Sequence, residues 1–265
     1  MGFLSTRTWQ FTYFALQLND FMWTGKDVLD FGGNIGNILR DPNSTIDPDR
    51  YWCIDVVRDA IEKGKESYPQ SHWIFYDRYC FFFNPHGIPH LRVPDIEQRF
   101  DYIVAYSVFS NTSAADMIEL VDELQGLLKR DGILAFSFID PHYHSWPDRY
   151  EGDNLRWRLE KVKVEENPNI DIEAVAAKAR DADWCFLVNG RELYVETENI
   201  EPCEPEQQKS CYAFYSKDYV RALFPNAAIL PPVNGEMQHC CVMKPSRVQP
   251  GEAERVRRTS HAINA

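Results

Sequence analysis

Five short apolar runs, each ending in turn residues, organise the first 140 residues: Asp27–Phe31, Tyr51–Asp55, His72–Tyr76, Asp101–Ala105 and Ile133–Ile139. Helical stretches lie between several of them. Strands that alternate with helices are joined by crossovers, and crossovers build a parallel sheet covered on its faces. Helical spacing marks Ile35–Arg40, Val57–Ser67 and Ser113–Leu128. In the last of these, Met117, Leu120, Val121, Leu124 and Leu128 share one face. Ser113 can cap its first turn, and Lys129 and Arg130 suit the C-terminal dipole. Residues 84–98, with Pro85, Pro89 and Pro94, read as an irregular connection.

The rhythm breaks at about residue 141. Up to about 210 the chain holds a Trp-, Arg- and His-rich loop, a short helix near Ile172–Ala179, and DWCFLVNGRELYVET. Asn189–Gly190 between two apolar runs is a strong hairpin signal. Ser216 then caps a helix that Pro225 ends, and Ala227–Leu230 and Met237–Met243 follow as an antiparallel pair. The expected fold is α/β: a seven-stranded, mostly parallel, doubly wound sheet with its last strand antiparallel. Residues 27–140 and 212–244 should build that sheet, with a lid-like, hairpin-containing insertion after the fifth strand. Residues 1–245 read as a single domain with 141–210 inserted. The polar, aperiodic stretch 246–265 is expected to be disordered.

Basic residues number 28 and acidic ones 40, a net charge of −12 that argues against a nucleic-acid partner. Seven cysteines are scattered without a CxxC pair, so neither a zinc site nor a disulfide framework is expected. The N-terminal stretch is apolar but broken by Arg7, Gln10, Gln17, Asn19 and Asp20. It lacks a signal-peptide core and a membrane-length run, and reads as an amphipathic helix over a core or pocket. A cytoplasmic protein without a membrane partner is the expectation.

Residues 28–36, VLDFGGNIG, run from an apolar strand into Asp30, Gly32, Gly33 and Gly36. Glycines there let the backbone turn tightly and approach a ligand. A dinucleotide fingerprint would place glycines at 32, 34 and 37, where Asn34 and Asn37 occupy two of the three positions. The run instead resembles the DxGxGxG turn of class I, Rossmann-like S-adenosylmethionine (SAM)-dependent methyltransferases. Asn34 stands at the middle glycine, and asparagine tolerates left-handed backbone. The resemblance continues through five strands, over roughly residues 25–140 and the terminal strand pair. It implies SAM as cofactor, held at the turn by Asp30, Gly32, Gly33, Asn34 and Gly36. It also implies that Asp55, ending YWCID, holds the two ribose hydroxyls, and that Asp77 and Arg78 of HWIFYDR lie where the adenine is read. Tyr106, Ser107 and Phe109 of FDYIVAYSVFSN would lie beside the methionine end. A histidine frequent in the family after the fourth strand is Asn111 here.

Methyl transfer needs an acceptor aligned with the S–CH3 axis and water excluded; a base is needed only for a protonated acceptor. The segment FIDPHYHSWPDRY leaves the carboxyl edge of the fifth strand, where open α/β sheets bind ligands. His142 and His144 are the candidate general bases. Tyr143, Trp146, Arg149 and Trp157, with Arg156 and Arg158 nearby, could hold an anionic or aromatic acceptor. Asp140, His142 and His144 lack a further clear ligand, so no metal is expected. The reading is methyl transfer to a small-molecule acceptor, oxygen favoured over nitrogen, with the insertion as acceptor-side lid. The alternative is a SAM-binding protein in a non-methylating role, a cyclase or a sensor, to which Asn34 and Asn111 point.

Overall fold

All four residues of β1 (Val28–Phe31) are buried, as a central parallel strand covered on both faces requires. A computed structural model describes residues 8–145, 152–188, 192–197 and 211–245. In it β1 pairs in parallel with β2 (Tyr51–Asp55) on one side and β4 (Phe100–Ala105) on the other. β3 (His72–Phe75) extends the sheet beyond β2, and β5 (Leu128–Ile139) lies beyond β4. The last two strands, β9 (Ala228–Leu230) and β10 (Gln238–Met243), complete the order β3-β2-β1-β4-β5-β10-β9. β10 runs antiparallel to β5, as expected. Strand order reverses between β1 and β4, so the ligand crevice of such a sheet opens at their carboxyl ends.

One face of the sheet is covered by α1 (Gln10–Leu18) and α2 (Arg58–Ser67), with Phe11, Tyr13, Phe14, Tyr51 and Ile61 in a shared core. The other is covered by α3 (Ala114–Gln125) and α6 (Lys217–Leu223) around Met117, Leu124, Phe136 and Val220. Ser113 and Ser216 accept backbone N–H bonds as N-caps of α3 and α6. Cys240 joins the first core and Cys241 the second, because successive strand side chains alternate.

Residues 35–40, expected as a helix, form a run of turns instead. Gly36 takes a left-handed φ of 80° and Asn34 one of 54°, which breaks helical continuity. The N–H groups of Gly36 and Asn37 both reach Gly33, and those of Leu39 and Arg40 both reach Gly36.

The insertion carries α4 (Asn154–Glu165), α5 (Ile172–Lys178) and an antiparallel sheet ordered β7 (Glu192–Val195), β6 (Trp184–Val188), β8 (Cys211–Tyr215). Val188 faces Glu192 across the expected hairpin, whose Asn189–Gly190 turn lies outside the described residues. Residues 211–215 belong to this small sheet, a correction to the expected boundary at 210. The reason lies in β6, which is buried on both faces. Its Trp184, Phe186 and Val188 enter the core shared with Phe136, while Cys185 and Leu187 pack with Leu155 and Leu159 of α4. A strand so enclosed needs a partner on each edge, and β8 provides the second. Among the described residues no helix is long and apolar enough to cross a membrane. The stretch 246–265 lies outside them.

Candidate cofactor and acceptor site

The loops leaving β1 and β4 meet at the crevice. Gly32 has φ 74°, and Ser107, in the facing loop, has an uncommon left-handed φ of 59°. A Cβ on Gly32 would come 2.4 Å from Val108 Cγ2, so a glycine is needed for the two loops to touch. A Cβ on Gly33 would sit 2.5 Å from the Asp30 carboxyl and 2.9 Å from Cys53 Sγ.

Asp55 ends β2 and is buried. Its Oδ2 accepts the Asn34 N–H and its Oδ1 the Val57 N–H, both at 2.7 Å. Each oxygen keeps a second lone pair, the acceptor set that two neighbouring hydroxyls require. Burial pushes the Asp55 carboxyl up to about 6, against the lowering pull of those N–H groups. Burial raises Asp30 to about 7; the Tyr51 hydroxyl, donating at 2.8 Å, opposes the rise and the charge of Asp55 adds to it.

Beyond Asp55 a cavity of about 330 Å³ is lined by Val56, Val57, Phe75, Asp77, Phe83 and Asn84, among others. Arg58 lies over the Phe75 ring at 3.7 Å, and Asn84 donates to Asp77 at 3.0 Å. Arg78 takes a different course from its neighbour Asp77. Its buried guanidinium donates to the Leu91 carbonyl at 2.8 Å and pairs with Asp116 and Glu119 on α3. His90, Asp116 and Glu119 are the one grouping with metal-ligand proximity among the described residues, but the Arg78 guanidinium already pairs with both carboxylates.

After β4, Tyr106 packs edge-on against Trp9 and Tyr13 and donates to Glu236 at 3.2 Å. Ser107 N–H donates to Ser137 Oγ at 2.7 Å, and the Ser107 and Ser110 hydroxyls bond at 2.8 Å. Phe109 is fully buried against Phe136, a core position.

Past the carboxyl end of β5, Asp140 Oδ1 accepts the His142 N–H at 2.9 Å. His142 Nδ1 lies 3.9 Å from the Asp153 carboxylate, the N-cap of α4. That pairing raises the imidazole pKa; partial burial opposes it and the charge of Asp140 adds to it. His144 is exposed two residues on. Trp146 and Arg149 lie outside the described residues. Arg158 is buried over the Tyr212 ring at 3.5 Å, and Arg156 pairs with Glu173, so both have structural partners. The Trp157 ring has Lys161 5.7 Å from its centroid.

Two polar residues of this region escaped the sequence reading. His239, on β10, is buried against Phe138 and the edge of Tyr143. Burial pushes its pKa down to about 4, with Asp140 acting against it, so its ring is neutral. Asn37 follows the glycine turn and is also buried. His239 stands in no recognisable motif, so only pairing and burial reveal it; Asn37 directly follows the glycine turn, and its burial is what the sequence does not reveal.

Residues 29–134 match the family model of a methyltransferase domain. The fold matches that of a SAM-dependent methyltransferase from Clostridium acetobutylicum ATCC 824 with a TM-score of 0.50 at 12% identity, covering 91% of this chain and 92% of that one. Among curated proteins, a polyamine aminopropyltransferase of Hydrogenobaculum sp. (strain Y04AAS1) is 22% identical, over 84% of this chain and 74% of its own. Polyamine aminopropyltransferase 1 of Aquifex aeolicus (strain VF5) is 25% identical, over 81% of this chain and 72% of its own.

Proposed function

We propose that the chain is a class I SAM-dependent methyltransferase, a reading that the methyltransferase-domain match over residues 29–134 and the fold support, and that it methylates a small-molecule acceptor, at oxygen in preference to nitrogen. The observation that carries the reading is the Asp55 carboxylate, anchored by two backbone N–H groups between the glycine turn and an open cavity. The site fits the cofactor: the turn leaves no room for a Cβ at Gly33, and Asp55 keeps two acceptor oxygens for hydroxyls.

SAM, when bound, supplies a methyl group activated by its sulfonium. Asp55 would hold the ribose hydroxyls, and the cavity beside Phe75 and Asp77 would take the adenine. Gly32 lets the loop after β4 approach closely, since a Cβ there would meet Val108, and that closeness would help exclude water from the methionine end. His142 accepts the proton of an acceptor hydroxyl in its neutral form, oriented by Asp153, and the insertion covers the acceptor. Calorimetry with SAM and with NAD, then incubation with labelled SAM and a metabolite extract, tests the reading. Binding of NAD without SAM would overturn it.

His142→Gln should lower turnover about 10²–10⁴-fold while SAM affinity stays at the wild-type level. Asp153 raises the His142 pKa, so wild-type turnover should climb as pH rises through that raised value. In Asp153→Asn, which can still cap α4, the climb should begin at lower pH. If His142→Gln and His144→Gln both keep full turnover across neutral pH, the acceptor enters unprotonated and alignment alone carries the reaction.

The aminopropyltransferase names of both curated relatives favour a second, non-methylating reading: transfer of an aminopropyl group to an amine. Product mass separates the two, since one adds a methylene and the other an aminopropyl unit.

A further inference from the structure

Asn154, the first residue of α4, is 1% exposed, and both polar atoms of its side chain are bonded. Nδ2 donates to the Asp140 carbonyl at 2.9 Å and to the Met237 carbonyl at 3.3 Å, and Oδ1 accepts the Ser145 hydroxyl at 2.5 Å. The helix does not need this amide. Asp153 already caps α4, its Oδ1 accepting the Arg156 N–H at 2.9 Å. A buried polar group so fully satisfied fixes one arrangement of whatever it bonds.

What it bonds is the loop that carries His142. Asp140 and Ser145 stand on either side of the histidine, and the Asn154 and Leu155 N–H groups donate to the Tyr143 and Pro141 carbonyls at 2.9 and 3.0 Å. Met237, just before β10, ties the same amide to the main sheet. The imidazole is held less tightly than its backbone: Nδ1 lies 3.9 Å from Asp153 Oδ2. Asp153 cannot close that gap without leaving its cap. The attraction therefore depends on where the loop puts the ring, since it weakens with distance. The other charged groups around His142 are Asp140, which accepts its N–H, Asp181, and His144 on the far side of Asp153.

Resting on the reading of His142 as base, we propose that Asn154 is its positioning residue: the buried amide locks the 140–145 loop so that Nδ1 stands beside Asp153 and Nε2 is left to take the acceptor proton. The insertion then contributes to the chemistry through its first helical residue, which never touches the acceptor.

The test is an NMR titration of the histidine rings in the full chain, with His142 assigned from His142→Gln. In Asn154→Ala the His142 pKa should fall toward the ordinary histidine value, because the loop no longer holds the ring against Asp153. Transfer of label from SAM in the metabolite extract should slow about 10–100-fold, the scale for a misplaced reacting group, while calorimetry shows unchanged SAM affinity. In an Asp153→Asn background, Asn154→Ala should shift the His142 pKa little further, because both changes act on one pairing. A purely structural amide would not produce that result. Ser145→Ala removes one bond to the amide and leaves the helix start intact, so it serves if Asn154→Ala does not fold; it should lower the pKa by a smaller amount. An unchanged His142 pKa in Ser145→Ala or in folded Asn154→Ala overturns the proposal, as do shifts that add in full to that of Asp153→Asn. Full label transfer by Asn154→Ala, where His142→Gln has lost it, overturns it too. If His142→Gln itself keeps full transfer, the base reading fails and takes this inference with it.

Discussion

Replacing Asp55 by alanine should weaken SAM binding by about 2–4 kcal/mol, or about 30- to 1,000-fold, because two hydroxyl bonds to a charged acceptor are lost. The backbone adds to the effect. Asp55 also receives the N–H of Asn34, a residue held at φ 54°, and of Val57 at the start of α2. Without the carboxylate both donors lose their partner, and the turn relaxes from the shape that meets the ligand. The pH dependence gives a second readout. Hydroxyls donate best to an ionised carboxylate, and burial holds Asp55 near about 6. Affinity in the wild type should therefore rise as pH increases through 6 and level off above it. Stability of the cofactor-free protein runs the other way. A carboxyl whose pKa is raised by folding stabilises the fold below its ordinary range, and that contribution is lost as pH climbs to about 6. Calorimetry and thermal melts across this window should show opposite slopes; Asp55→Ala should flatten the first and lessen the second, the rest of which belongs to Asp30. A wild-type affinity in the variant would reduce Asp55 to a backbone anchor.

Arg78→Met should destabilise the fold by about 3–5 kcal/mol, the scale for breaking a buried ion pair from one side. The guanidinium is 3% exposed and joins three parts of the chain: its own place after β3, the Leu91 carbonyl, and Asp116 with Glu119 on α3. Methionine fills much of the space but leaves two half-buried carboxylates facing each other. Repulsion between them should make the loss larger at neutral pH than in mild acid, where protonation relieves it. Chemical denaturation at the two pH values checks this. SAM affinity measured well below the melting point should change little, since Arg78 faces α3. A variant that folds normally but no longer binds SAM would return Arg78 to the adenine site.

Much of this was legible in the sequence because it is local. The strand before Gly32 announces itself by Val28, Leu29 and Phe31 around Asp30, and Asp55 by its place at the end of YWCID. Val28 and Asp30 opposite Tyr51 and Cys53 follow from that register. What escaped the reading depends on distant partners. Arg78 follows Asp77 in sequence, yet Asp116 and Glu119, 38 and 41 residues away, claim its charge. Residues 35–40 carry helical spacing, but the left-handed Gly36 decides against a helix. β8 looks like a return to the main sheet, and only the doubly buried β6 shows why it stays with the insertion.

The enclosure of β6 bears on how the molecule assembles. Ile139 of β5 faces Gln238 of β10, and Ser137 donates to the Gln238 side chain 101 residues along the chain. Closing that loop is an entropic cost that grows with its length, and pairings so far apart in sequence form slowly. β6, β7 and β8 pair among themselves over a much shorter span, and folding them first would bring Ser216 and the α6–β10 segment toward the sheet. The same strand then packs its inner side on Phe136, a residue of β5 itself. The insertion should therefore form ahead of the carboxyl half of the sheet, with β10 the strand whose arrival completes it, an order that the folding rates of β6 and β10 variants would check.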